Sequence, residues 1–151
     1  MKTITFSIFT FILLTFSLDI YAQNSETTMK PMIEDASVYI DTIEAHNYEI
    51  VRMEFDLVSA SRPKETFREL HSDWTYSIWA FGDFRFEDID ITVYKDVNGK
   101  WEQVEKDNTS DNTAIVTFKP TSSGMYKIDV IAYKFKSDYT VGHYGLIIFH
   151  E

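Results

Sequence analysis

From Val51 onward, apolar and polar residues alternate in a succession of short segments separated by turn-forming residues. Val51, Met53, Phe55 and Leu57 alternate with Arg52, Glu54 and Asp56, and Ile89, Ile91 and Val93 with Asp90, Thr92 and Tyr94. The same rhythm returns in Tyr126, Ile128, Val130 and Ala132, and again in Tyr144, Leu146 and Ile148. A period of two sends successive side chains to opposite faces, which is the pattern of a strand. Shorter runs over Thr66–His71, Trp74–Phe81, Trp101–Glu105 and Ala114–Phe118 read as strands as well. In the second of these, Trp74 and Tyr76 fall on the alternating core face. Between the runs, Val97-Asn98-Gly99-Lys100 predicts a tight hairpin, because Asn-Gly accepts positive φ at both central positions. Ser59–Lys64, with Pro63, and Pro120–Gly124 are further breaks. Strands at this spacing predict a mainly β fold: an antiparallel, jelly-roll-like β-sandwich of about eight strands.

One segment has a different period. After Pro31, which suits a helix start, Ile33, Ala36, Ile40 and Ile43 recur in steps of three and four. Acidic Glu34, Asp35, Asp41 and Glu44 lie between them, the earlier ones suited to the positive end of the helix dipole. An N-terminal helix is expected over about residues 31–48, packed against the sandwich, because a lone amphipathic helix needs a surface to bury against.

The first residues carry an address. Met1-Lys2 gives a positive start, Ile4–Leu18 is apolar except for small hydroxyl residues, and Ala22 is a small cleavage residue. This is the layout of a secretory signal peptide over residues 1–22. Its apolar run is shorter than the roughly 20 residues a membrane span needs, so no anchor is expected after cleavage. Residues 23–30 read as a polar, flexible leader, and 31–151 as a single domain. The chain has no cysteine, which excludes a lipid attachment site at the leader, disulfides and thiolate chemistry. A secreted or periplasmic location follows. With 24 acidic against 14 basic residues, a formal charge of −10 argues against nucleic acid as a partner.

The strand sequences resemble a known family. W-T-Y-S-I-W-A-F-G-D (Trp74–Asp83), D-I-D-I-T-V-Y (Asp88–Tyr94), A-I-V-T-F-K-P (Ala114–Pro120), G-M-Y-K-I-D-V (Gly124–Val130) and G-H-Y-G-L-I-I (Gly142–Ile148) follow one another in order. This succession resembles the bacterial pre-peptidase C-terminal domains, β-sandwich modules of secreted proteins related to collagen-binding modules. The D-x-D-L, S-G-x-Y and Y-x-L patterns of that family correspond to Asp88–Ile91, Ser123–Tyr126 and Tyr144–Leu146, with Ile91 in the place of Leu. The resemblance implies a β-sandwich with a binding or structural role, and some related modules hold calcium through loop carboxylates.

Two groups of residues are candidate sites. Asp83, Asp88 and Asp90, with Asp107 and Asp111 in the following loop, offer oxygen ligands of the kind calcium takes. Asp88 and Asp90 lie two apart and share a strand face; read structurally, they are solvated strand residues or partners for loop N–H groups. Trp101, Tyr94, Tyr133 and Tyr139 are candidates for a ligand-binding aromatic surface. Trp101 follows a tight turn and is expected at the surface. Lys127 is expected in solvent, as a guard for a sheet edge. No H-E-x-x-H, G-x-S-x-G or Gly-rich phosphate loop occurs. The expected function is therefore a non-catalytic accessory module recognising a protein or a polysaccharide. A small hydrolase using surface carboxylates and a structural subunit of an envelope assembly are the alternatives.

Overall fold

A computed structural model describes residues 29–107 and 109–151. The expected signal peptide and residues 23–28 of the leader lie outside the described residues. One helix, α1 (Lys30–Ala45), precedes eight strands: β1 (Glu49–Ser59), β2 (Lys64–Leu70), β3 (Tyr76–Gly82), β4 (Phe86–Val97), β5 (Lys100–Asp107), β6 (Thr113–Phe118), β7 (Gly124–Phe135) and β8 (Val141–His150). They form two four-stranded sheets, β1-β8-β3-β6 and β2-β7-β4-β5, in which every pairing is antiparallel. Two sheets interleaved in this order make a jelly roll, as the strand pattern predicts. Asn98 and Gly99 both take positive φ, 55° and 79°, so the β4–β5 connection is the tight hairpin expected there.

The interior between the sheets is built by the alternating positions. Ile89, Ile91 and Val93 of β4, Ile128 and Val130 of β7, and Tyr144, Leu146 and Ile148 of β8 are fully buried in one cluster with Ile78, Ala80 and Phe86. Gly124, at φ 151°, lets the chain turn into β7, and the Tyr126 hydroxyl two residues on donates to the Ser122 carbonyl at 2.9 Å. The Ser-Gly-x-Tyr spacing thus has a physical content: it locks a strand entrance.

A second cluster lies outside the sandwich. Met32, Ala36 and Ile43 of α1 pack on Phe81, Ile147 and Phe149, on the outer face of the β1-β8-β3-β6 sheet. Tyr39 sets its ring 4.1 Å from Trp79 and 4.8 Å from Phe81, centroid to centroid. Gly145 makes room for this layer, since a Cβ there would run into the Phe81 ring. The buried stripe differs from the expected one by a rotation of the helix. Ile33 is 57% exposed, and Met32 takes its place because residues 32, 36 and 43 keep to one face. The helix also ends earlier than expected. Asn47 takes positive φ at 60° and turns the chain into β1. No acidic residue falls in the first helical turn, so the expected dipole pairing of Glu34 and Asp35 begins one turn too late.

β1 holds a further surprise of facing. Met53 and Phe55 point outward beside Ile147 and Gly145, on the helix side, whereas Arg52, Glu54 and Asp56 pair with the inward-facing Ile148, Leu146 and Tyr144. These polar positions are tolerable because β1 and β2 are edge strands of different sheets, and no ladder joins them. Along this open seam Glu54 accepts hydrogen bonds from Thr66 at 2.6 Å, from Tyr144 at 3.1 Å and from the Arg52 guanidinium, while Asp56 pairs with Lys64. A polar zip closes the side of the sandwich that hydrophobic residues would leave exposed to water.

Candidate functional site

Among the described residues no helix lies on the outer face of the β2-β7-β4-β5 sheet, and its residues run in rungs across four strands. Phe67, Lys127, Tyr94 and Gln103 make one rung; Glu65, Asp129, Thr92 and Lys106 make the next. Trp101 sits one rung beyond Gln103, opposite Asp96. Its ring reaches back over the sheet to meet Phe67, with centroids 5.6 Å apart at 51°. The pair thus connects the two edge strands, β2 and β5. Phe67 stays 49% exposed and Trp101 40%. Large aromatic surface thus stays in water on this sheet face, while α1 covers the outer face of the other sheet.

Charge under this pair is fixed. The Lys127 ammonium lies 4.5 Å from the Tyr94 ring centre, 3.0 Å from Asp129 and 3.3 Å from Glu65. Burial alone would lower its pKa, but the hydrogen bonds and charges of Asp129 and Glu65 outweigh that and raise it. Lys127 therefore does not guard an edge in solvent. β7 is an interior strand of its sheet and the Lys127 side chain is 13% exposed. It is the cation at the centre of an ion-paired group on the open face.

The acidic candidates fall into three places. Asp88 and Asp90 share the outer face of β4, but both are buried rather than solvated, and Asp88 Oδ1 has no hydrogen-bond partner. Burial, together with the neighbouring carboxylates of Asp88 and Asp107, raises the pKa of Asp90, against the pull of Lys106. Asp107 is engaged at the β5 end, accepting from Thr109 N–H and Oγ1 at 2.8 Å and from Ile115 N–H at 2.7 Å, which ties one sheet to the other. Asp111 is exposed on the same loop, where its carboxylate accepts from Asn112 N–H and its carbonyl from Ile89 N–H. Asp83 stands apart, held by the Arg85 guanidinium and by the backbone N–H groups of Arg85 and His143. Among the described residues, no three of His, Asp and Glu come together in a group that could hold a metal ion.

The aromatic candidates divide similarly. Trp101 and Tyr94 both lie on the open face, on successive rungs. Tyr133 is exposed on β7 near its far end, and Tyr139 lies on the β7–β8 connection, edge-on to Phe84 at 5.8 Å. Phe67 and Arg85 had no sequence signal of their own, and Trp74 is placed differently from the core position expected of it. Phe67 belongs to a strand whose outward face is otherwise Glu65 and Glu69, so only the sheet order brings it to Trp101. Arg85 is buried and donates to His143 Nδ1 at 2.9 Å across 58 positions of sequence. Trp74, expected in the core, precedes β3 and is 42% exposed. The strand starts only at Tyr76, because residues 71–74 form a turn closed by Trp74 N–H donating to the His71 carbonyl at 3.4 Å.

No protein family model matches the chain, and no curated protein matches it. Among solved structures it is similar to PliG of Aeromonas hydrophila, a periplasmic lysozyme inhibitor of g-type lysozyme. The two are 13% identical with a TM-score of 0.46, over 66% of this chain and 85% of that one. It is also similar to a de novo designed double-stranded β-helix, at 14% identity and a TM-score of 0.33, over 67% of this chain and all of that one. Among the described residues no helix is long and apolar enough to cross a membrane.

Proposed function

We propose that the protein is a secreted or periplasmic, non-catalytic binding module that recognises a protein partner through the open face of the β2-β7-β4-β5 sheet. The observation that carries this is the exposed Phe67–Trp101 pair, on the same sheet face as the Lys127–Asp129–Glu65 group and with Phe67 beside Lys127. Protein interfaces have this anatomy: a few aromatic anchors supply most of the energy, and surrounding polar groups fix orientation. The ion pairs are already made within the chain, so binding need not order them, which lowers the entropic cost of association. A protein is favoured over a polysaccharide because the two exposed rings are tilted 51° to each other and offer no single flat platform for a sugar ring. The likeness of the strand motifs to pre-peptidase C-terminal domains belongs with the same proposal: an accessory module that binds.

The test is affinity capture from envelope and culture fractions with the full-length mature chain, run in parallel with Trp101→Ala, Phe67→Ala and an Ile33→Lys control on the helix side. A partner retained by wild type and control, and bound at least about 30-fold more weakly by either aromatic variant, is the expected result, as for loss of a 2 kcal/mol anchor. Capture that is indifferent to both aromatics, or carried by a glycan alone, rejects the proposal.

A further inference from the structure

The seam between β1 and β2 opens at one end of the sandwich into a cavity of about 260 Å³. It lies where β1 and β8 have their Glu49 and His150 ends, beside the Arg68–Leu70 end of β2, and neither Phe67 nor Trp101 lines it. Its polar wall is made by Glu49, Arg68, Glu69, His71 and His150, and Trp74 stands in it. The volume is just below the roughly 300–1,000 Å³ range of drug-sized ligand sites, enough for a single small ring.

Trp74 is unusual in being both exposed and fixed. Its ring rests on the buried His150 ring at 4.2 Å between centroids. The turn that carries it is tied down at three points: the Trp74 N–H donates to the His71 carbonyl, His71 N–H donates to the Tyr76 hydroxyl at 3.2 Å, and Ser72 N–H donates to Ser123 Oγ at 3.0 Å. An apolar ring of this size would gain from burial, yet the fold holds it at the rim. Around it the hydrogen-bonding groups are unspent. Among the described residues, the side chains of Arg68, Glu69 and His71 make no ion pair or hydrogen bond, and Glu49 has only the 3.9 Å approach to His150 Nε2. His150 donates its other nitrogen, Nδ1, to the Glu151 carbonyl at 3.2 Å, which sets the ring's orientation.

From this geometry we infer a second binding site, for a neutral sugar ring. A pyranose has an apolar C–H face that stacks on an indole and a rim of hydroxyls that both donate and accept. Trp74 supplies the platform, Arg68 and His71 the donors, and Glu49 and Glu69 the acceptors. The mixture of opposite charges suits a neutral polyol. A phosphate or carboxylate ligand would meet Glu49 and Glu69, and an ammonium would meet Arg68. The fixed turn makes the platform ready in advance, which spares the ligand the cost of ordering it.

The experiment follows the three indole N–H cross-peaks of the 15N-labelled protein, with that of Trp74 assigned by its loss in Trp74→Phe. Methyl glucoside, N-acetylglucosamine, cellobiose and chitobiose are titrated in turn, with glycerol as control. The expected result is a saturable shift of the Trp74 peak with at least one sugar. Arg68→Gln, which keeps Trp74 in place, weakens binding at least tenfold, and Trp101→Ala leaves it unchanged. The last variant separates this site from the protein-binding face, so either can fail alone. No saturable shift with any of the sugars, or an equal shift with glycerol, overturns the inference, as does sugar binding that survives both Arg68→Gln and Trp74→Phe undiminished.

Discussion

Two aspartates of this chain, Asp83 and Asp90, respond to pH in opposite directions. Burial pushes the Asp83 carboxyl up, but the side-chain hydrogen bonds from Arg85 and the backbone N–H groups of Arg85 and His143 outweigh it and hold it below the usual carboxylate range. A folded-state pKa below the unfolded one adds stability that is present above the unfolded value, about 3.9, and is lost as pH falls through the folded value. Asp83→Asn should cost roughly 3 kcal/mol at pH 7, because it leaves Arg85 buried without its counter-charge. That cost should shrink in acid. Asp90 runs the other way, since burial and the charges of Asp88 and Asp107 raise its pKa. Its contribution is complete below the unfolded value and is lost as pH rises through the folded one. Asp90→Asn should therefore raise the melting temperature at pH 7 and have no effect near pH 3. Denaturant melts of the two variants across pH 3 to 8 check both signs. The identities of these residues were visible in the sequence, but their environments were not. His143 lies 60 positions from Asp83, and nothing local to Asp88 and Asp90 reveals that the loop after β5 passes beside them.

Among the elements, α1 shows what a period can and cannot locate. Steps of three and four establish the helix, but the choice between Met32 and Ile33 as the buried residue depends on how the helix rolls on Trp79, Phe81 and Ile147. Truncation separates the two. Met32→Ala should cost about 2–4 kcal/mol through the cavity it leaves, and Ile33→Ala less than about 0.5 kcal/mol; urea unfolding of the pair reads the difference. β1 makes the complementary point. Its alternation correctly predicts a strand, yet the apolar side of its middle faces the helix layer and the charged side faces the seam, because it borders a sheet edge that the sequence does not reveal. β4, β7 and β8 lie inside their sheets, and there alternation alone identifies the core residues.

At the level of the whole molecule, the pairing order β1-β8-β3-β6 and β2-β7-β4-β5 joins strands far apart in sequence. Periodicity reports which side of a strand is buried and not which strand lies next to it. The sandwich class was therefore legible, whereas the aromatic bridge from Phe67 to Trp101 and the cavity at Trp74 had to await the sheet order. The distribution of cover is equally a property of the whole: among the described residues, α1 lies over one sheet and the other is bare.

That asymmetry gives the domain a back and a front, and an attachment beside Pro31 differs from one beside His150 in what it would obstruct. The helix start at Pro31 lies on the back, beside Gly82 and Phe84. The last residue, Glu151, is hydrogen-bonded to His150 in the wall of the Trp74 cavity. β3 runs between these ends, about 20 Å along its seven residues. A domain moored by residues preceding Met29 turns its bare sheet away from the mooring, so a sensor surface should couple there. Mooring at Glu151 places the support against the sugar cavity. On such a surface the signal from N-acetylglucosamine or cellobiose should fall with C-terminal attachment and persist with N-terminal attachment, while protein capture on the bare sheet tolerates both.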